Sequence, residues 1–174
     1  MKFGDTALEG DFRDNVAAIA RSCPRPPNGG VQSLADWEAV APFVVSDDHL
    51  VAAYNGVWTL LFGGRDVASD LYFRPALGAA LAREHGTRVV SGFGYTVISS
   101  WGLRIHTPEG SRSFVVDQDD VVEQACGPPF GDGRCDDPAF DLFRVQEILW
   151  DLGIYTTGWI EKGHQYAAVR LLPG

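Results

Sequence analysis

The sequence predicts an α+β fold, with an antiparallel sheet of about six to eight strands and three to four helices packed mainly on one face. Two observations predict it. Short apolar runs typical of strands are interspersed with runs of helical periodicity, and the strand-like runs are joined by connections too short for parallel crossovers. We see no repeat and no linker along the 174 residues. We therefore expect a single globular domain over residues 1–174, a length that can bury a full core.

Three helices are predicted in the first half of the chain. The first spans residues 11–22, where Asp11 is placed to cap the opening turn. The second is short, over residues 33–41, with Ser33 as its cap. The third spans residues 73–86 and ends at a glycine, the residue that most often stops a helix.

The fourth helix, over residues 138–153, has the clearest amphipathic pattern. Its buried arc is predicted to consist of Leu142, Val145, Ile148, Leu149 and Leu152. Its outer face is predicted to consist of Asp141, Arg144, Glu147 and Asp151. Phe140 falls on the outer side, where an exposed aromatic ring would suit contact with a partner.

The first predicted strands form a β-hairpin over residues 49–62. Asn55-Gly56 between two apolar runs predicts a type I′ turn, which requires positive φ at both central residues. The Pro- and Gly-rich residues 24–30 are predicted to form a loop. Further strands are predicted over residues 87–92, 95–100, 102–107 and 111–117, and a closing hairpin over residues 157–162 and 165–172.

The charge of the chain is concentrated in one segment. The net charge is −9, from 14 Lys and Arg against 23 Asp and Glu. Between residues 117 and 151, ten acidic residues are opposed by only two arginines, so this fifth of the chain carries −8 of the total. A surface of this sign disfavours binding to nucleic-acid phosphates and to anionic membranes. It attracts basic partners and increases their association rate.

This charge map predicts a non-catalytic interaction protein that binds and neutralises a basic protein partner. Immunity proteins of bacterial toxin systems and other inhibitors of cationic enzymes often have this size, acidity and class, and their partners are toxins or nucleic-acid-acting enzymes. The simpler interpretation is that the acidic residues only keep the protein soluble. The predicted partner-binding residues are Asp117, Asp119, Asp120, Glu123, Asp136, Phe140, Asp141, Glu147 and Asp151.

The alternative function is an enzyme or a small-molecule-binding protein. Such a protein would use His106, Arg104 or His164 as polar groups in a sheet-lined pocket. The Gly-rich residues 63–66 and 92–94 lack the context of a phosphate-binding loop, and we expect no cofactor. The opening residues have no apolar stretch and no run has the length of a membrane helix, so a cytoplasmic location is expected.

Cysteine usage predicts ordinary reduced thiols. The chain has three cysteines, an odd number, and no export signal. Cys126 and Cys135 bracket a Gly- and Pro-rich loop, so a disulfide between them, or a metal site that adds a histidine, remains open. No CxxC motif supports zinc, and residues 117–123 lack the spacing of a calcium-binding EF-hand. Core or half-core packing is predicted for Trp37, Trp58, Trp101, Trp150 and Trp159.

Overall fold

The computed structural model describes residues 2–22, 27–44, 46, 48–63, 75–118, 120–125, 142–154 and 165–171. Within them, nine strands form one antiparallel sheet and four α-helices pack against it. The predicted α+β class and the antiparallel pairing are therefore confirmed. The sheet has more strands than the predicted six to eight.

The strands are β1 (Lys2–Glu9), β2 (Pro27–Leu34), β3 (His49–Tyr54), β4 (Trp58–Gly63), β5 (Val89–Tyr95), β6 (Ser100–Thr107), β7 (Gly110–Asp117), β8 (Asp120–Ala125) and β9 (Gln165–Leu171). The helices are α1 (Phe12–Ser22), α2 (Trp37–Val44), α3 (Pro75–His85) and α4 (Leu142–Asp151). The strand order is β2-β9-β3-β4-β1-β5-β6-β7-β8. Only the pairs β3–β4, β5–β6, β6–β7 and β7–β8 are neighbours both in the chain and in the sheet; the other connections pass over at least one strand.

Helices cover both faces of the sheet, so the prediction of helices mainly on one face is wrong. On what we call the first face, α1 and α3 pack over a cluster that includes Leu8, Leu61 and Val89. On the second face, α4 packs over Leu60 and Val90, and α2 packs over β3 and β9. Neighbouring residues of a strand point to opposite faces of the sheet. In β4 the neighbours Leu60 and Leu61 are both buried, and in β5 so are Val89 and Val90. Each face therefore requires its own helical layer.

The helix starts show which capping predictions are correct. The backbone N–H groups of Arg13 and Asp14 donate to Asp11 Oδ1 at 2.8 and 3.1 Å, so the predicted cap of α1 is confirmed. The predicted cap of α2 is wrong. Ser33 lies in β2, and Asp36 Oδ1 accepts the capping bond from the Ala39 N–H at 3.0 Å. The third helix and its glycine stop, with φ of 63°, are confirmed.

The hairpin of β3 and β4 is confirmed, but its turn differs from the predicted type. Tyr54 pairs with Thr59, and among the turn residues only Gly56 has positive φ, at 97°. Asn55 stabilises the turn through its side chain instead: Oδ1 accepts from the N–H groups of Val57 and Trp58 at 2.9 and 2.6 Å. A type I′ turn is therefore not formed.

Three strands were not predicted from the sequence. β1 and β8 carry no strand prediction, and β2 begins at Pro27 within the predicted loop 24–30. Proline is tolerated there because β2 is an edge strand, and its pairing with β9 shifts register between Pro27 and Val31. Residues 95–100, predicted as a strand, instead form a 3₁₀ turn at residues 96–98 between β5 and β6. Residues 157–162 of the predicted closing hairpin lie outside the described residues, and β9 pairs with β2 and β3.

α4 is held firmly on the second face. A Cβ atom added at Gly92 in β5 would lie 2.7 Å from Leu149 Cδ1, so the glycine permits the close approach of the helix. Beyond the end of the helix, Trp58 Nε1 donates to the Leu152 carbonyl at 2.7 Å, and Asn55 Nδ2 donates to the Gly153 carbonyl at 3.2 Å. These bonds satisfy carbonyls that a helix end leaves unpaired.

We predict that Gly92→Ala lowers the free energy of unfolding by about 1–3 kcal/mol, because the added methyl group overpacks the contact with Leu149. Urea unfolding of the two single variants and of Gly92→Ala/Leu149→Ala gives a double-mutant cycle. We expect the double variant to be more stable than the sum of the two single losses predicts. Additive losses would show that the contact does not limit the approach of α4.

Candidate interaction surface

One end of the sheet combines exposed apolar side chains with carboxylates. β5 and β7 end there and β6 and β8 begin there, because these four strands are consecutive and antiparallel. We call this end the acidic rim; it comprises residues 96–99, 117–118 and 120–122. It contains two of the predicted partner-binding residues, Asp117 and Asp120, which are both exposed and pair across the β7–β8 turn.

The apolar part of the acidic rim is large. Val97 and Ile98 in the 3₁₀ turn are 83% and 50% exposed, and Val121 and Val122 in β8 are 55% and 61% exposed. The two valines are both exposed because β8 has an extra residue there: Val116 pairs with Val121, while Val115 pairs with Glu123. Such a bulge interrupts the alternation of side chains across the sheet.

Two aromatic rings stack next to the acidic rim, in β6 and β7. The acidic rim itself contains two residues with unusual backbone conformations. On the second face, the rings of Trp101 and Phe114 stack with centroids 5.6 Å apart. Ser99 and Gln118 have φ of 48° and 50°, and among the described residues they are the non-glycine positions with positive φ. Such conformations cost roughly 1–2 kcal/mol each and persist where the surrounding structure enforces them.

Glu123 has a different role from the other predicted acidic residues. Its side chain is on the first face, 28% exposed, and it forms an ion pair with Arg104. Arg104 Nη2 and Nε donate to Glu123 Oε2 at 2.8 and 3.0 Å. This carboxylate is therefore engaged inside the protein, while Asp117 and Asp120 face solvent.

The outer face of α4 is a second exposed surface. Glu147 and Asp151 are exposed there as predicted, and Arg144 Nη1 donates to Glu147 Oε2 at 3.1 Å. The face also carries two large aromatic side chains: Phe143 is 61% exposed and Trp150 is 46% exposed. The prediction of core or half-core packing is therefore wrong for Trp150, and Trp159 lies outside the described residues. It is correct for Trp58, which is 2% exposed.

The exposure of these two aromatic residues is not among the predictions, although the sequence carries a signal for it. With 100° per residue, Phe143 and Trp150 lie opposite the buried Val145 and Leu149. Charged residues alone mark only part of the outer face, and residue type alone favours a buried position for Trp150. A complete helical projection places both rings on the outer face.

Arg104 and His106 belong to a buried polar cluster rather than to an open surface. They are 6% and 3% exposed and both point to the first face, two residues apart along β6. His106 Nδ1 forms a hydrogen bond with Ser111 Oγ at 2.7 Å. The Arg104 guanidinium lies 5.9 Å from the centroid of the Phe93 ring, in addition to its ion pair with Glu123. The cluster links three strands, β6, β7 and β8.

The electrostatics of this cluster keep its members in fixed protonation states. Burial, assisted by the charge of Arg104, lowers the pKa of His106 from 6.5 to about 4, so the imidazole is neutral at pH 7. Partial burial opposes ionisation of Glu123, but hydrogen bonds from Arg104 and Ser113 outweigh it and lower the pKa of Glu123. The neutral imidazole of His106 and the ion pair of Arg104 with Glu123 therefore stabilise the pairing of β6, β7 and β8.

A serine, an aspartate and a histidine meet before β3, but they do not form a catalytic relay. Ser46 Oγ and Asp48 Oδ1 both contact Nδ1 of His49, each at 2.9 Å. A relay requires the serine and the carboxylate on opposite ring nitrogens. The group instead lowers the pKa of Asp48, chiefly through the hydrogen bond from Ser46.

A groove of about 450 Å³ lies between α1 and the end of α3. Glu9, Asp14 and Glu84 contribute carboxylates to its lining. Neither Arg104 nor His106 lines it, so this groove is not the pocket that the alternative function requires.

The remaining predicted site residues are Asp119, Asp136, Phe140, Asp141 and His164, and they lie outside the described residues, as do Cys23, Cys126 and Cys135. Within the described part of the chain, no group of three His, Cys, Asp or Glu residues has the arrangement of a metal site. None of the helices there is long and apolar enough to cross a membrane.

Comparison with protein-family models, with curated proteins and with solved structures finds no significant match to this chain. Its function must therefore be inferred from its own surfaces.

We predict that stability falls as the pH decreases from about 6.5 to about 4. Over this range the unfolded chain protonates His106 while the folded protein, with its lower pKa, does not, so the unfolded state is favoured. His106→Gln should remove up to about 3 kcal/mol of this pH dependence. Urea unfolding between pH 4 and 7.5 measures it, with His85→Gln as the control. An unchanged pH dependence in His106→Gln would contradict the assignment.

We also predict that Glu123→Gln lowers the free energy of unfolding by about 2–3 kcal/mol, because it leaves the buried Arg104 without its carboxylate. The loss should be smaller in Arg104→Met/Glu123→Leu, which removes both charges. Thermal and urea unfolding check this prediction. Equal stability of Glu123→Gln and the wild type would show that the ion pair is not structurally important.

Proposed function

We propose that this chain is a non-catalytic interaction protein whose acidic rim binds a basic protein partner and blocks it, as an immunity protein or an inhibitor does. One observation carries the proposal. Of the eight large hydrophobic residues that are exposed in the described chain, four lie in the acidic rim beside Asp117 and Asp120. Exposed apolar groups grouped in this way mark interaction sites.

The composition of the acidic rim supports a protein partner. Burial of apolar surface contributes about 25 cal/mol per Å², so Val97, Ile98, Val121 and Val122 provide binding free energy when a partner covers them. The carboxylates at the margin of the patch increase the association rate of a basic partner and disfavour acidic ones. A surface that served solubility alone would not need four exposed aliphatic side chains at one end of the sheet.

The buried polar cluster supports this function over catalysis. Arg104 and His106 are two of the three polar groups that the alternative function would use, and in the described structure Arg104 bonds to Glu123 and His106 bonds to Ser111. A general base or a ligand-binding group must reach its substrate from an accessible position. The structural role of the cluster therefore favours binding at the surface.

We predict that Asp117→Asn/Asp120→Asn weakens partner binding at least about 10-fold at about 50 mM salt and much less at about 300 mM, because screening already reduces rim electrostatics there. The wild type and the variant, tagged, are incubated with lysate of the source organism at both salt concentrations. The affinity of the retained protein, once purified, is measured by isothermal titration calorimetry. Val97→Ser/Ile98→Ser should weaken binding with little dependence on salt.

The matched control is Glu84→Gln/Glu109→Gln. It removes two exposed carboxylates outside the acidic rim, Glu84 in the last turn of α3 and Glu109 in the β6–β7 turn, and changes the net charge by the same amount. A basic protein retained by the wild type and the control, but not by the rim variant, supports the proposal. Equal losses in both variants, retention of an acidic protein, or no retained protein would contradict it.

A further inference from the structure

We propose that the outer face of α4 is a second docking surface, which binds an amphipathic basic helix of the partner. This inference rests on the proposed function, because it names a further contact of the same kind of partner. Its surface is separate: it consists of Phe143, Glu147, Trp150 and Asp151, whereas the acidic rim lies on β5–β8 and their connections.

The arrangement of side chains on α4 suits another helix. Phe143 and Trp150 lie about 20° apart around the helix axis and two turns, about 10 Å, apart along it. Seven-residue spacing of apolar side chains is the spacing by which helices pack against one another. Glu147 and Asp151 lie on one side of this aromatic stripe. Arg144 lies on the same side and donates to Glu147 Oε2, so the apolar strip is bordered by two carboxylates and one arginine, with a net charge of −1.

The exposure of the two rings is unusual for a helix whose other face is fully packed. Val145 and Leu149 are 0% and 1% exposed, so α4 already has a complete buried face. Phe143 and Trp150 are 61% and 46% exposed, so a partner that covers them gains at most about 1.5–3 kcal/mol for each side chain. Trp and other aromatic side chains in such positions are typical centres of binding energy.

Charge selects the occupant. A second copy of this chain would bring the same net negative border against itself, and an anionic membrane would repel it. A helix with apolar residues on one face and Lys or Arg beside them is complementary to both the aromatic stripe and the charged border. Its apolar residues would cover the rings, and its cations would pair with the carboxylates and approach the Trp150 ring.

α4 can receive a helix without rearranging. Its inner face packs into the space that Gly92 leaves, and its end is held by Trp58 and Asn55. A surface fixed in this way loses little conformational entropy on binding, so more of the contact energy appears as affinity.

The test uses a designed 18-residue peptide with Leu at helical i, i+3, i+4 and i+7 spacing and Lys elsewhere, and a second peptide with the same composition in scrambled order. Isothermal titration calorimetry measures both against the wild-type protein. We expect the amphipathic peptide to bind at least about 10-fold more tightly than the scrambled one. Phe143→Ala/Trp150→Ala should remove this difference, with folding checked by circular dichroism.

The matched control is Val31→Ala/Val57→Ala, which trims two exposed apolar residues outside both proposed surfaces and should leave the peptide affinity unchanged. Equal binding of both peptides, or binding unaffected by Phe143→Ala/Trp150→Ala, would overturn the inference. Binding lost in the control variant would also overturn it. Because the peptides replace the natural partner, this outcome is independent of whether the lysate experiment retains a protein.

Discussion

Burial of the central strands on both faces is the constraint on which the rest of this structure depends. In β4 and β5, residues that point to opposite faces are both excluded from water. A sheet of this kind needs a helical layer on each side, which α1 and α3 provide on one face and α2 and α4 on the other. The ends of the strands are not covered by these layers. Exposed apolar side chains are therefore tolerated at the acidic rim without competing with the core.

The first face also buries polar side chains, and their pairing fixes the register of the sheet. Arg104 in β6 reaches across β7 to Glu123 in β8, so its ion pair spans three strands. Thr6 and Ser91 form a hydrogen bond across β1 and β5 at 2.9 Å. A slip of one residue would turn these groups to the second face and leave each without its partner. Polar pairs thus select one register where aliphatic packing alone would tolerate several.

The elements that could be predicted from the sequence are those in which residue type and spacing alone favour the conformation that the folded protein adopts. The hairpin of β3 and β4, the cap at Asp11 and the amphipathic α4 all follow from residue type and spacing. The strands β1 and β2 could not be predicted in this way. In β1 the neighbouring residues Thr6, Ala7 and Leu8 are all buried, so this part of the strand has no polar–apolar alternation. β2 takes its strand conformation from pairing with β9, more than 130 residues later. Such pairing is a long-range contact that no local pattern records.

The candidate site was predictable only in part, for related reasons. The concentration of charge in residues 117–151 indicated the carboxylates of the acidic rim, because charge is visible in composition. The apolar half of the rim was not visible, since valines in a strand usually indicate a core. Val121 and Val122 are exposed because of a bulge, and a bulge depends on the register with the neighbouring strand. The internal role of Glu123 likewise depends on a partner that lies two strands away.

The position of β9 has a consequence for the order in which the sheet forms during synthesis. β5 to β8 are consecutive in the sequence and adjacent in the sheet, so their contacts are local and form rapidly. β9, by contrast, inserts between β2 and β3, which are made more than a hundred residues earlier. Until the ribosome has released β9, the nascent chain holds β2 without a neighbour and β3 with one open edge. Unpaired strand edges of this kind are the ones chaperones protect, so this half of the sheet is the part most exposed to misassembly.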